Sequence, residues 1–153
     1  MIDQCGHARL AGFGFLTIIP DYTTWSPSKS TGLTKWMSPE LIDPSQFGSE
    51  DGWPTKESNC YALGMVILEV LTGEAPFPHY DTWRAILKVL EGEHPERPQC
   101  VGGFLFPDTV WKMLEQCWSP QPEFRPTVEA VLLHLEWRSK RRHQEIKMAE
   151  ALF

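Results

Sequence analysis

The chain has 153 residues, 42% of them apolar and 22% charged, with seven tryptophans. That is enough for one domain burying roughly 70% of its unfolded surface, and it excludes a disordered chain. The formal charge of -6 argues against general nucleic-acid binding, which needs a basic face.

The charge is unevenly spread: residues 136–153 carry five Lys/Arg against three Glu, and the remainder carries nine against seventeen acids. The four cysteines (Cys5, Cys60, Cys100 and Cys117) show no C-x-x-C spacing and no paired framework. With no signal peptide in view, they read as reduced thiols in an intracellular, cytoplasmic protein. The longest apolar run, Tyr61 to Leu71, is interrupted by Glu69 and falls far short of the ~20 residues a membrane span needs.

In chain order, the opening MIDQCGHARLAGFG predicts a short hairpin over residues 1–11, with Gln4–Gly6 as its turn. Residues 20–35 are rich in Ser, Thr, Pro and Gly and predict a loop, and a second irregular stretch runs over 43–55. A loop as long as the first is more often functional than structural filler. The clearest helix is expected from Ser58, as N-cap, to Thr72, with Gly73 as C-cap; YALGMVILEVL is apolar nearly all round, which predicts burial on most faces.

Asp81 then caps a helix carrying Trp83, Ile86, Leu87 and Leu90 on one stripe, ending near Gly92. Asp108 caps another, with Val110, Trp111, Leu114, Cys117 and Trp118 inward. Thr127 caps a last helix bearing Val128, Val131, Leu132 and Leu135, which continues past Trp137 as a basic tail over 138–153. The sum is a mainly α domain around one buried central helix.

Four motifs in register carry a resemblance to protein kinases: GHARLAGFGF, GLTKWMSPE, ESNCYALGMVILEVLTGEAPF and CWSPQPEFRPT. They are similar, in order, to the strands leading into D-F-G, to G-T-x-R-W-M-A-P-E at the end of the activation segment, to the central helix, and to the CW…RP pair near the end of the catalytic domain. The second has the form found in the tyrosine-kinase and tyrosine-kinase-like branches. The resemblance implies a C-lobe: hairpin 1–11, activation segment 12–40, helical body 41–137 and tail 138–153.

It also implies residue roles. Glu40 and Arg125 are the family's ion pair between the activation segment and the helical body, with Trp36, Trp118 and Pro126 packed nearby. The aspartate of D-F-G, which holds magnesium on the nucleotide phosphates, falls at Gly12, with Phe13 and Gly14 retained. Gly12 has no side chain to bind a metal, and Asp3 reads as a turn residue and not as its replacement. Asn59 stands where the family's central helix has the aspartate that anchors the catalytic loop. The threonine of G-T-x-R-W falls at Leu33, with Thr34 one position late. Thr23, Thr24, Ser26, Ser28, Ser30 and Thr31 occupy the region where kinases carry regulatory phosphosites.

No H-R-D element is present, and no G-x-G-x-x-G followed by a suitable lysine. The chain therefore reads as beginning after the catalytic loop, and no catalytic residue is assigned. No cofactor or metal is assigned either; ATP and magnesium are implied by the family only. The five histidines show no metal-ligand spacing. The expected activity of the family is phosphorylation of proteins, but these residues alone are expected to be inactive. Two alternatives stay open: a pseudokinase-type module binding protein partners, without nucleic acid or membrane, and an incomplete gene model of an active kinase.

Overall fold

A computed structural model describes Gln4 and residues 33–50 and 52–137. All but Gln4 fall within the unit Gly32–Phe153. The expected hairpin 1–11 apart from Gln4, most of the loop 20–35 and the tail 138–153 lie outside the described residues.

Among the described residues the structure is mainly α. A 3₁₀ turn at Thr34–Trp36 leads into α1 (Pro39–Ile42) and a second 3₁₀ turn, Pro44–Phe47. The long helix α2 (Lys56–Thr72) follows, then α3 (Thr82–Leu90) and a small antiparallel ribbon, β1 (Cys100–Val101) with β2 (Phe104–Leu105). Next come α4 (Asp108–Cys117), a 3₁₀ turn at Pro122–Phe124, and α5 at 128–137. No described helix is long and apolar enough to cross a membrane.

Helix α2 starts three residues earlier than its sequence predicts. The N-cap is Thr55, whose hydroxyl accepts from Ser58 N at 3.1 Å, while Ser58 Oγ accepts from Thr55 N at 2.8 Å. This capping box satisfies two orphan donors and places Ser58 inside the first turn, where it is buried. The helix stops at Gly73, whose φ of 76° costs a glycine little and whose N–H reaches Glu69 O at 2.7 Å.

Helix α2 is buried or half-buried on most of its circumference, with Leu63 and Ile67 also packed against the core. Cys60, Tyr61, Gly64, Met65 and Leu68 point inward, whereas Val66 and Val70 are exposed. The inward face meets α4, which contributes Val110, Trp111, Met113, Leu114 and Cys117. Met65 and Leu114 are fully buried, each worth about 1.5–3 kcal/mol relative to exposure.

Helix α3 corrects its expected stripe. Asp81 does cap it, accepting from Arg84 N at 2.8 Å. The buried pair is Ala85 and Val89, however, and Trp83 and Leu87 are exposed. Both pairs are spaced i, i+4, but they lie about 200° apart around the helix. The smaller pair lets α3 pack closely on α1 and the Thr34–Trp36 turn.

Asp108 is the first residue of α4 and does not cap it; the N-cap is Pro107. The Asp108 carboxylate instead takes Arg97, which also donates to Phe106 O at 2.8 Å. Thr127 Oγ1 accepts from Ala130 N at 3.2 Å at the start of α5, where Val131 is buried but Leu132 is half exposed.

Candidate functional site

The residues that gather polar chemistry lie where the segment 33–42 meets α2 and the Pro122–Phe124 turn. Pro39 at the first position of α1 has a preset φ and needs no hydrogen-bond donor there, so it starts the helix at Ser38. That start puts Glu40 in the first turn, facing the guanidinium of Arg125. Nη1 donates to Glu40 Oε1 at 2.6 Å and Nη2 to Oε2 at 2.9 Å.

Arg125 also donates to two backbone carbonyls. Nε reaches Ser119 O at 2.9 Å, and Nη1 also reaches Glu57 O at 3.1 Å. Its Cζ sits 5.1 Å from the Tyr61 ring centroid, within cation–π range. The Arg125 side chain is 0% exposed and that of Glu40 12%. A desolvated charge is tolerable here because the fork is bidentate and each guanidinium nitrogen has an acceptor. Burial pushes the Tyr61 phenol above its usual range, so it stays neutral under the cation.

Two further contacts bind the segment to the body. Trp36 Nε1 donates to Glu69 Oε2 at 2.8 Å on α2. Lys35 Nζ donates to the carbonyls of Phe77 at 3.0 Å and Tyr80 at 2.7 Å. Phe77 is buried and sits at φ 52°, a left-handed conformation that a bulky side chain adopts only when held. Lys35 is one of the groups holding it. Thr34 is buried and Leu33 is exposed.

Trp118 is buried between Trp111, 5.6 Å away at 72°, and His94, stacked at 5.5 Å. Its Nε1 and the Oγ of Ser38 are buried without a hydrogen-bond partner among the described residues. Gly64 makes room for Trp118: a Cβ there would lie 2.7 Å from the indole Nε1. Asn59 is exposed on the first turn of α2 and Pro126 is half-buried. Gly12, Phe13, Gly14, Thr23, Thr24, Ser26, Ser28, Ser30 and Thr31 lie outside the described residues.

Sequence reading missed three features. One is a cleft of about 450 Å³ lined by Leu68, Leu71, Phe77, Tyr80, His94 and Arg97. The second is the Lys35 clamp on Phe77, because carbonyl acceptors leave no trace in a side-chain pattern. The third is that Cys60 and Cys117, 57 positions apart, are buried in the same core cluster. Both are free thiols, as the scattered spacing of the cysteines predicts.

The described residues by themselves do not make a magnesium–nucleotide site. The described residues hold no cluster of three His, Cys, Asp or Glu side chains able to hold a metal ion. The chemistry that the described site can perform is to anchor one chain segment on a helical body and to present a cleft beside it.

The family of protein tyrosine and serine/threonine kinases matches residues 1–135. Among curated relatives, the chain is 28% identical over 145 residues to the cytoplasmic tyrosine-protein kinase BMX of Homo sapiens, covering 94% of this chain and 20% of that protein. It is 27% identical over 135 residues to the putative serine/threonine-protein kinase/receptor R818 of Acanthamoeba polyphaga mimivirus, covering 88% of this chain and 7% of the relative. Against the tyrosine-protein kinase Src64B of Drosophila melanogaster it is 28% identical over 130 residues, covering 84% and 22% respectively. The chain thus spans less than a quarter of the length of each of these relatives.

Proposed function

This chain belongs to the protein tyrosine and serine/threonine kinase family, and from that premise we propose that residues 1–153 serve as a kinase-like C-lobe that binds protein partners and does not itself transfer phosphate. The observation that carries the reading is the Arg125 fork on Glu40, at 2.6 and 2.9 Å. It supports taking 12–40 as an activation segment anchored on a helical body of 41–137. Residues 138–153 then form a basic tail. Partners would be proteins, met by the helical surface, the segment region and that tail.

The inactive part of the reading rests on chemistry. Phosphoryl transfer depends on groups that position the nucleotide, hold magnesium and orient the acceptor hydroxyl. These residues contain no H-R-D element, and Gly12 replaces the metal-binding aspartate. Isothermal calorimetry of residues 1–153 with ATP and magnesium tests this. No measurable binding is expected, and micromolar affinity would sink the reading.

A second reading is favoured by the small share of each relative that the chain covers: these residues belong to a longer kinase whose nucleotide-binding groups are encoded upstream. Mapping the 5′ end of the transcript separates the two. An in-frame upstream segment encoding V-A-x-K and H-R-D supports the longer kinase, in which Gly12 would still lack a metal ligand. In that chain Thr23, Thr24, Ser26, Ser28, Ser30 and Thr31 would be the phosphosite candidates.

A further inference from the structure

We propose that the cleft at the end of α2 is a docking site for a short basic segment of a partner protein, one with apolar side chains set between Lys or Arg residues. The inference rests on the partner-binding reading above and names the kind of partner. The cleft lies between the last turn of α2, the connection 74–80 and the stretch 93–102. Its volume of about 450 Å³ is in the range of pockets that enclose a ligand. The floor is apolar: Leu68, Pro76, Phe77 and Pro95 are buried, and Tyr80 is half-buried beside them. Lys35 holds the carbonyls of Phe77 and Tyr80, so this floor is already set and little ordering is needed on binding.

The rim decides the charge of the occupant. Glu74, Glu93 and Glu96 line the cleft, and all three are exposed. Lys88 donates to Glu93 at 2.7 Å, but Glu74 and Glu96 have no ion-pair partner among the described residues. Arg97 also lines the cleft, yet its guanidinium is turned to Asp108 and to Phe106 O. Two carboxylates therefore stand uncompensated over an apolar floor, on a chain of net charge -6. Carboxylates set on a low-dielectric wall focus their field on incoming cations, and like charge is turned away. A small cation would leave the floor uncovered, and an apolar or acidic segment would leave Glu74 and Glu96 unanswered. A segment with an apolar centre and basic flanks satisfies both parts of the cleft.

The experiment is fluorescence anisotropy of a labelled hexapeptide, Lys-Arg-Leu-Phe-Arg-Lys, titrated with the folded chain 1–153. The control peptide carries Glu at every basic position. Saturable binding of the basic peptide alone is expected. Glu74→Gln combined with Glu96→Gln should weaken it about two- to thirtyfold, as loss of two exposed charge pairs implies. Glu123→Gln combined with Glu129→Gln makes the same change in net charge on exposed residues outside the cleft, and should leave the affinity unchanged. On the unmutated chain, 1 M salt should also weaken binding, because the screening length falls to about 3 Å. No saturable binding, equal binding of the acidic peptide, or equal loss in both variant pairs would overturn the proposal. So would self-association of the chain that the cleft variants abolish, since the occupant would then be a second copy. Calorimetry with ATP and magnesium reports on the inactive part of the earlier reading alone, so either can fail without the other.

Discussion

Arg125 closes on Glu40 across 85 positions of sequence, with two nearly parallel N–H···O bonds of 2.6 and 2.9 Å. Few polar contacts could tie the start of the described region to its end so directly. The pair lies on the packed side of the molecule, with Tyr61 beneath the guanidinium and two backbone carbonyls completing its coordination.

Replacing Arg125 with Ala leaves the Glu40 carboxylate without its counter-charge and is expected to cost about 3–5 kcal/mol. Arg125→Lys should recover only part of this, because an ammonium cannot present the planar fork. Urea unfolding of Glu40→Gln, Arg125→Ala and the double variant measures the coupling. Strictly additive effects would refute it.

Gly64→Ala places a methyl 2.7 Å from Trp118 Nε1 and 2.9 Å from Cys117 Cβ, both inside normal contact. Overpacking of this kind costs about 1–3 kcal/mol, against roughly 1 kcal/mol gained from helix propensity. Net destabilisation is expected, with a shifted tryptophan fluorescence maximum as the indole is displaced. Unchanged stability and emission would show that the packing here has slack.

Lys35→Ala removes the cation from the carbonyls of Phe77 and Tyr80. Hydrogen bonds to a charged group contribute about 1.5–3 kcal/mol, and Phe77 would then hold its left-handed backbone with less support. The expected local signature is faster exchange of the Tyr80 amide, which donates to Phe77 O at 3.1 Å. Protection equal to the parent chain would remove Lys35 from this role.

Asp108 should titrate below the ordinary aspartate range, because Arg97 hydrogen-bonds its carboxylate and adds a favourable charge. A depressed folded-state value stabilises the fold above the unfolded-state value. That contribution disappears as pH falls through the depressed one. NMR titration of the carboxyl carbon checks the direction, and Arg97→Gln should return the midpoint toward the ordinary range.

Much of this organisation was written in local sequence. Asp81, Thr127 and Gly73 mark helix ends because capping is decided by one side chain or one φ angle, and the inward residues of α4 follow from their spacing. The Glu40–Arg125 contact was legible through motif resemblance and not through periodicity. Tertiary packing decided the rest. It chose Ala85 and Val89 over Trp83 and Leu87 on α3, because close helix approach favours small side chains. It left Val66 and Val70 of the apolar run exposed, because they lie away from α4 and the turns that pack on α2. It brought Lys35 to the Phe77 carbonyl and Trp36 to Glu69, since contacts between distant positions depend on how elements pack and not on any pattern along a single one.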